Sequence, residues 1–182
     1  MTNVFARSTP WQTIGGGVKK NCRDGWGTIV FEYRQAEEVR DAFAEQGVRY
    51  LFLGKSGAIL LGYPDTTQDA DVFVEKSAAN GDAIVLSLLQ LGFELTDDEQ
   101  SQIRRGKDFI QLKNGPFDLD LIFAPDGINH FEDAWRRRVE VAGFMVCAID
   151  DIINSKRAAN REKDRESLAR LESFRDYLNS RG

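Results

Sequence analysis

Apolar positions fall at helical spacing over residues 35–46, where Val39, Ala42 and Phe43 share a face and Gly47 supplies a stop. The pattern then changes to a short strand-like run over 48–53, a short helix over 56–61 and a turn at Gly62-Tyr63-Pro64. Residues 70–74 form a second strand. An amphipathic helix follows over 82–91, with Ile84, Val85, Leu88 and Leu89 on one face and Gly92 at its end. Residues 96–106 are polar and read as a loop. Residues 108–113 and 117–123 form an antiparallel pair joined at Asn114-Gly115-Pro116. A short helix over 131–138 and a hairpin over 139–149, turning at Ala142-Gly143, complete this part. Two helices finish the chain: one capped near Asp150, the other starting near Asn160 with Leu168, Leu171, Phe174 and Leu178 as its core face.

Residues 1–30 carry loop punctuation at Gly15-Gly16-Gly17 and Gly25-Trp26-Gly27, and fit either a mobile arm or a segment packed through Trp11 and Trp26. The division expected is an arm over 1–34, a central domain over 35–148 and C-terminal helices over 149–182 packed on it. A chain of 182 residues is long enough for one such domain with a real core. There is no internal repeat or low-complexity segment.

The net charge of −5 argues against a general nucleic-acid binder. The charge is uneven: residues 131–182 hold 11 Lys/Arg against 10 Asp/Glu, and residues 1–130 hold 13 against 19. The acidic excess thus lies in the part that carries the paired aspartates described below. With only Cys22, Cys147 and His130, a cysteine/histidine zinc cluster is excluded, and a Ser-His-Asp triad would have to use His130. The two cysteines read as free thiols, and His130 as a helix-start or loop residue. No apolar run approaches the ~20 residues that span a bilayer, and the amino terminus lacks a signal-peptide core. A soluble cytoplasmic protein is expected.

The chemistry concentrates between Leu53 and Val74. Gly54-Lys55-Ser56 after a strand suggests a P-loop, but Arg49 stands where that motif requires its first glycine, so the match is a fragment. A glycine turn between strand and helix can still offer amides to phosphate. Asp69 and Asp71 lie two apart on a strand and point the same way; Asp118 and Asp120 repeat the arrangement in an apolar strand. Like charges held together in apolar frames call for a cation. An all-oxygen, hard donor set suits Mg²⁺, and two such ions can clamp a triphosphate while activating a hydroxyl.

The pattern of Gly54, a short helix, Asp69-x-Asp71 and a later strand with Asp120 resembles the nucleotidyltransferase (DNA polymerase β-like) superfamily. Asp126-Gly127, Phe131-Glu132-Asp133-Ala134-Trp135 and the run from Ile149 to Asp164 resemble its small bacterial branch, which includes toxin–antitoxin and phage-defence members. The resemblance spans roughly residues 48–175. It implies an α/β nucleotidyltransferase fold: a mixed sheet flanked by helices, with a helical C-terminal segment. It implies Mg²⁺-dependent transfer of a nucleoside monophosphate from an NTP to a hydroxyl of RNA (a tRNA end), protein or a small molecule, with a toxin–antitoxin partner and no membrane. Asp69, Asp71 and Asp120 would hold two metal ions, with Asp118 the alternative third ligand; Gly54, Lys55, Ser56, Lys156 and Arg161 would meet the phosphates. Lys55 departs from the family's Gly or Ser at the second turn position, and either adds a phosphate contact or crowds the backbone approach. The reading from a different class is a catalytically silent, antitoxin-like binding module. Arg136-Arg137-Arg138 reads as a solvated face, to which an RNA acceptor would give a purpose.

Overall fold

A computed structural model describes residues 31–180. Its elements run α1 (Tyr33–Glu45), β1 (Tyr50–Phe52), α2 (Gly54–Leu60), β2 (Asp69–Val74), α3 (Ala78–Gln90), α4 (Asp97–Arg105), β3 (Phe109–Leu112), β4 (Asp118–Ile122), α5 (Phe131–Arg137), β5 (Val139–Val141), β6 (Phe144–Val146), α6 (Ile149–Ala159) and α7 (Glu162–Asn179). The six strands form one mixed sheet in the order β3-β4-β2-β1-β6-β5. Strand β2 is antiparallel to β1 and parallel to β4, while β1 is parallel to β6. The hairpins β3–β4 and β5–β6 close the two edges.

Alternation along the strands supplies a core on each side of the sheet. Tyr50, Phe52, Ala70, Val72, Leu119 and Leu121 point to one face and pack under α1, α3 and α4 through Val39, Phe43, Ile84, Leu88 and Ile103. Leu51, Leu53 and Phe73 point to the other face, where α2, α5, α6 and α7 contribute Ala58, Ala134, Ile152, Leu171 and Phe174. The expected face of the last helix is therefore core: Leu171 and Phe174 are buried, and Leu168 and Leu178 pack against them. The hairpin turn falls at Ala142-Gly143, both at positive φ (50° and 79°), as a two-residue turn between twisted strands requires.

One expectation fails. Residues 96–106 are not a loop but contain α4, held at its start by a capping box in which the Thr96 hydroxyl accepts from the Glu99 amide and Glu99 accepts from the Thr96 amide. Only Ile103 of that helix is buried, so hydrophobic periodicity carries no trace of it. Helix α6 begins, as expected, near Asp150: its N-cap is Ala148, and Asp150 and Asp151 occupy the first turn, where carboxylates interact favourably with the helix dipole. The expectations for residues 1–30, Trp11, Trp26 and Cys22 among them, lie outside the described residues.

Candidate active site

The parallel register of β2 and β4 sets Asp69 beside Asp118 and Asp71 beside Asp120. All four belong to the sheet face whose later positions, Phe73 and Ile122, sit in or against the second core. Asp69, Asp71 and Asp120 converge: one carboxylate oxygen from each lies within 4.8 Å of the others. Asp120 is buried, and the other two are half-buried. At that separation and an effective dielectric near 20, two unit negative charges repel by about 3 kcal/mol. Three together make a cluster that could hold a cation, and a purely oxygen donor set suits a hard divalent ion. Asp118 is not part of the cluster and does not line the cleft beside it.

The short connection from β1 into α2 makes room for this cluster. Gly54 adopts φ +58°, and a Cβ built there would lie 2.2 Å from Asp71 Oδ2. A side chain at this position would occupy the space of the carboxylate itself. Ser56 has a different task from the phosphate contact expected of it. It is buried, its Oγ donates to the Leu53 carbonyl (3.1 Å) and accepts from the Asp71 amide (3.0 Å), and it does not line the cleft. With the Leu53 amide donating to the Asp71 carbonyl (2.9 Å), it ties the glycine turn to the strand that carries the aspartates. Ser56→Ala leaves the Asp71 amide without this acceptor, so we expect about 1–3 kcal/mol of lost stability in denaturant unfolding.

The cluster opens into a cleft of about 740 Å³ between the sheet edge and helices α6 and α7. Gly54, Lys55, Lys156 and Arg161 all line it, together with the three aspartates. Lys55 reaches across the turn to Asp65 (3.6 Å), whose carboxyl the Thr66 amide and the Lys55 ammonium hold below its usual range. Lys156 pairs with Asp164 (3.1 Å), both largely buried where α6 meets α7. Arg161 is exposed at the start of α7. The cleft therefore has an anionic floor and three cationic side chains on its helical wall and turn.

Two polar side chains in the cleft were not singled out by the sequence pattern. Thr67 donates its hydroxyl to Asp69 Oδ1 (3.0 Å), and Gln111 donates its amide to Asp120 Oδ1 (3.2 Å). Gln111 faces Asp120 directly across β3–β4, and counting back along the hairpin from Asn114-Gly115-Pro116 is the signal that could have found it. The remaining sequence candidates lie outside the cleft. His130 is the N-cap residue of α5; Arg137 pairs with buried Asp151 (2.8 Å), and Arg138 stacks on Trp135. Cys147 is a buried free thiol, and burial pushes its pKa up, away from reactivity.

No family model matches the chain, and no curated protein matches its sequence. Solved structures match it in fold. The antibiotic-resistance factor ANT(2'')-Ia aligns with a TM-score of 0.50 at 17% identity, over 83% of this chain and 94% of that one. This chain has the nucleotidyltransferase fold. A Thermotoga maritima protein described as a candidate nucleotidyltransferase also aligns, with a TM-score of 0.46 at 14% identity, over 81% of this chain and 92% of that one. Within the nucleotidyltransferase fold observed here, the three aspartates sit on two adjacent central strands, with the glycine turn above them and the C-terminal helices facing them across the cleft.

Proposed function

We propose that the protein is a Mg²⁺-dependent nucleotidyltransferase that moves a nucleoside monophosphate from an NTP to a hydroxyl acceptor and releases pyrophosphate. The observation that carries this reading is the convergence of Asp69, Asp71 and Asp120 within 4.8 Å in a cleft that also holds Gly54, Lys55, Lys156 and Arg161. These three carboxylates would hold the metal ions, two in number. Bound there, Mg²⁺ would neutralise the phosphate charge and lower the pKa of the attacking hydroxyl.

The side chains of the chain do the rest. Lys55, Lys156 and Arg161 bind the triphosphate, with Asp65 and Asp164 orienting the two lysines. The acceptor oxygen bonds to the α-phosphorus as the bond to the β-phosphate oxygen breaks, and Asp120 takes the hydroxyl proton. Positioning and charge stabilisation supply most of the rate, as in phosphoryl transfer generally. Lys55 is compatible with an active site, because its ammonium lies toward Asp65 at the cleft rim rather than in the space between Gly54 and Asp71.

Among the acceptor classes, a small hydroxyl compound fits best. Beyond the three aspartates, the β3–β4 side of the cleft carries the carboxylates of Asp108 and Asp126 and the half-exposed ring of Phe109. Asp108 is paired with Lys76 (3.5 Å), so the acidity of this wall rests on Asp126 and the cluster itself; it disfavours a polyanionic RNA, and the Phe109 ring offers a stacking surface. Arg136, Arg137 and Arg138 do not extend the cleft, so they give an RNA no continuous track. The antibiotic-resistance role of ANT(2'')-Ia points the same way. A cytoplasmic location, where NTP is supplied, fits this proposal. No helix among the described residues is long and apolar enough to cross a membrane.

The test is to incubate the protein with each α-labelled NTP, Mg²⁺ and a cell extract, alongside an Asp69→Ala/Asp71→Ala control. Label in the small-molecule fraction supports the full reading. Label on RNA or protein retains the enzyme and overturns the acceptor class. No transfer together with no nucleotide binding favours a silent module on the same fold.

A further inference from the structure

Two of the three aspartates share a device. Asp69 accepts the Thr67 hydroxyl and Asp120 accepts the Gln111 amide, at 3.0 and 3.2 Å. Both donors are neutral. Both come from segments flanking the strands of the cluster: Thr67 from the approach to β2, and Gln111 from β3, the edge of the sheet. Gln111 completes a row across three strands, Asp71–Asp120–Gln111, in which each residue faces its neighbour in register. It is an exposed residue on an edge strand, where Lys or Glu would be equally at home as a solvated side chain.

The charge of the donor matters here. A lysine or arginine at either place would fix the carboxylate but also neutralise it, and would compete with any cation for the same oxygen. Lys55 pairs with Asp65 and Lys156 with Asp164. A neutral hydroxyl or amide fixes the rotamer of a carboxylate and leaves its charge intact. Groups that orient metal ligands in this way commonly change metal affinity 10- to 100-fold when removed.

We infer that Thr67 and Gln111 are positioning residues, which orient Asp69 and Asp120 for a divalent cation by neutral hydrogen bonds that leave the charge of the site in place. This rests on the metal reading of the three aspartates. It goes beyond that reading by assigning two further residues and the reason for their chemical type.

The experiment is a titration of the full-length protein with Mn²⁺ alone, followed by electron paramagnetic resonance, with thermal unfolding of each variant measured in the absence of metal. Gln111→Leu and Thr67→Val are each expected to weaken Mn²⁺ binding about tenfold at an unchanged melting temperature. Gln111→Lys weakens it further, and Gln111→Glu strengthens it. Charge alone predicts that Leu behaves like Gln, so the Gln-to-Leu difference is the decisive one. Wild-type Mn²⁺ affinity in both Gln111→Leu and Thr67→Val would overturn the inference, as would losses of affinity that merely follow losses of melting temperature. If the wild-type protein binds no Mn²⁺ whereas its labelled-NTP transfer persists, the inference fails and the enzyme reading survives. If both are absent, the functional reading fails with it.

Discussion

Asp71→Asn is expected to lower nucleotidyl transfer by about a thousandfold while leaving the protein folded. The substitution is isosteric, and the backbone bonds that anchor this position, from the Leu53 amide and to the Ser56 hydroxyl, do not involve the side chain. The fold is therefore expected to be retained, because these backbone bonds persist in the variant. The loss falls on the transition state. Metal-held phosphate charge is worth several kcal/mol, and about 4 kcal/mol corresponds to roughly a thousandfold in rate. Single-turnover transfer of label from an α-labelled NTP, compared with the thermal unfolding midpoint, checks both halves. A variant that unfolds, or one that retains a tenth of the activity, contradicts the assignment.

Gly54→Ala is expected to produce the second largest effect, and by a different route. The new methyl group would lie 2.2 Å from Asp71 Oδ2 and 2.6 Å from its Cγ, so the carboxylate must swing away. The backbone at φ +58° adds a strain of about 1–2 kcal/mol for any residue with a Cβ. Because a displacement near 1 Å at a reacting centre can cost about a hundredfold, transfer should fall by that order. The charge of Asp71 remains, so Mn²⁺ binding should weaken without being abolished, whereas Asp71→Asn should nearly abolish it. That contrast, read by metal titration, separates displacement of a ligand from its removal.

The parts of this architecture that sequence pattern reveals are those whose signal is local. An apolar strand interrupted at every second position by aspartate can be seen directly, so Asp69, Asp71 and Asp120 were legible together with the β3–β4 hairpin. Asp118 shows where this stops. Alternation places Asp118 and Asp120 on the same face and cannot rank them; what separates them is the neighbour across the sheet, Asp69 for one and Asp71 for the other. Helix α4 escaped because a helix with a single buried residue has no hydrophobic stripe, although Thr96 and Glu99 spell its capping box. A phosphate contact for Ser56 is what the resemblance implies; the folded turn shows that the Leu53 carbonyl and the Asp71 amide already use its hydroxyl. Thr67 and Gln111 depend on register between segments, which composition does not carry.

The central claim is the transfer of a nucleoside monophosphate from a triphosphate at the three aspartates. A pair of reactions on one NTP, labelled either at the α- or at the γ-phosphorus, tests it most directly in the presence of Mg²⁺ and an acceptor-containing extract, with Asp69→Ala/Asp71→Ala as control. The account predicts α-label on the acceptor, γ-label in released pyrophosphate, and neither product with the control. Label from the γ-position on the acceptor, or α-label transfer that survives in the control, would contradict it.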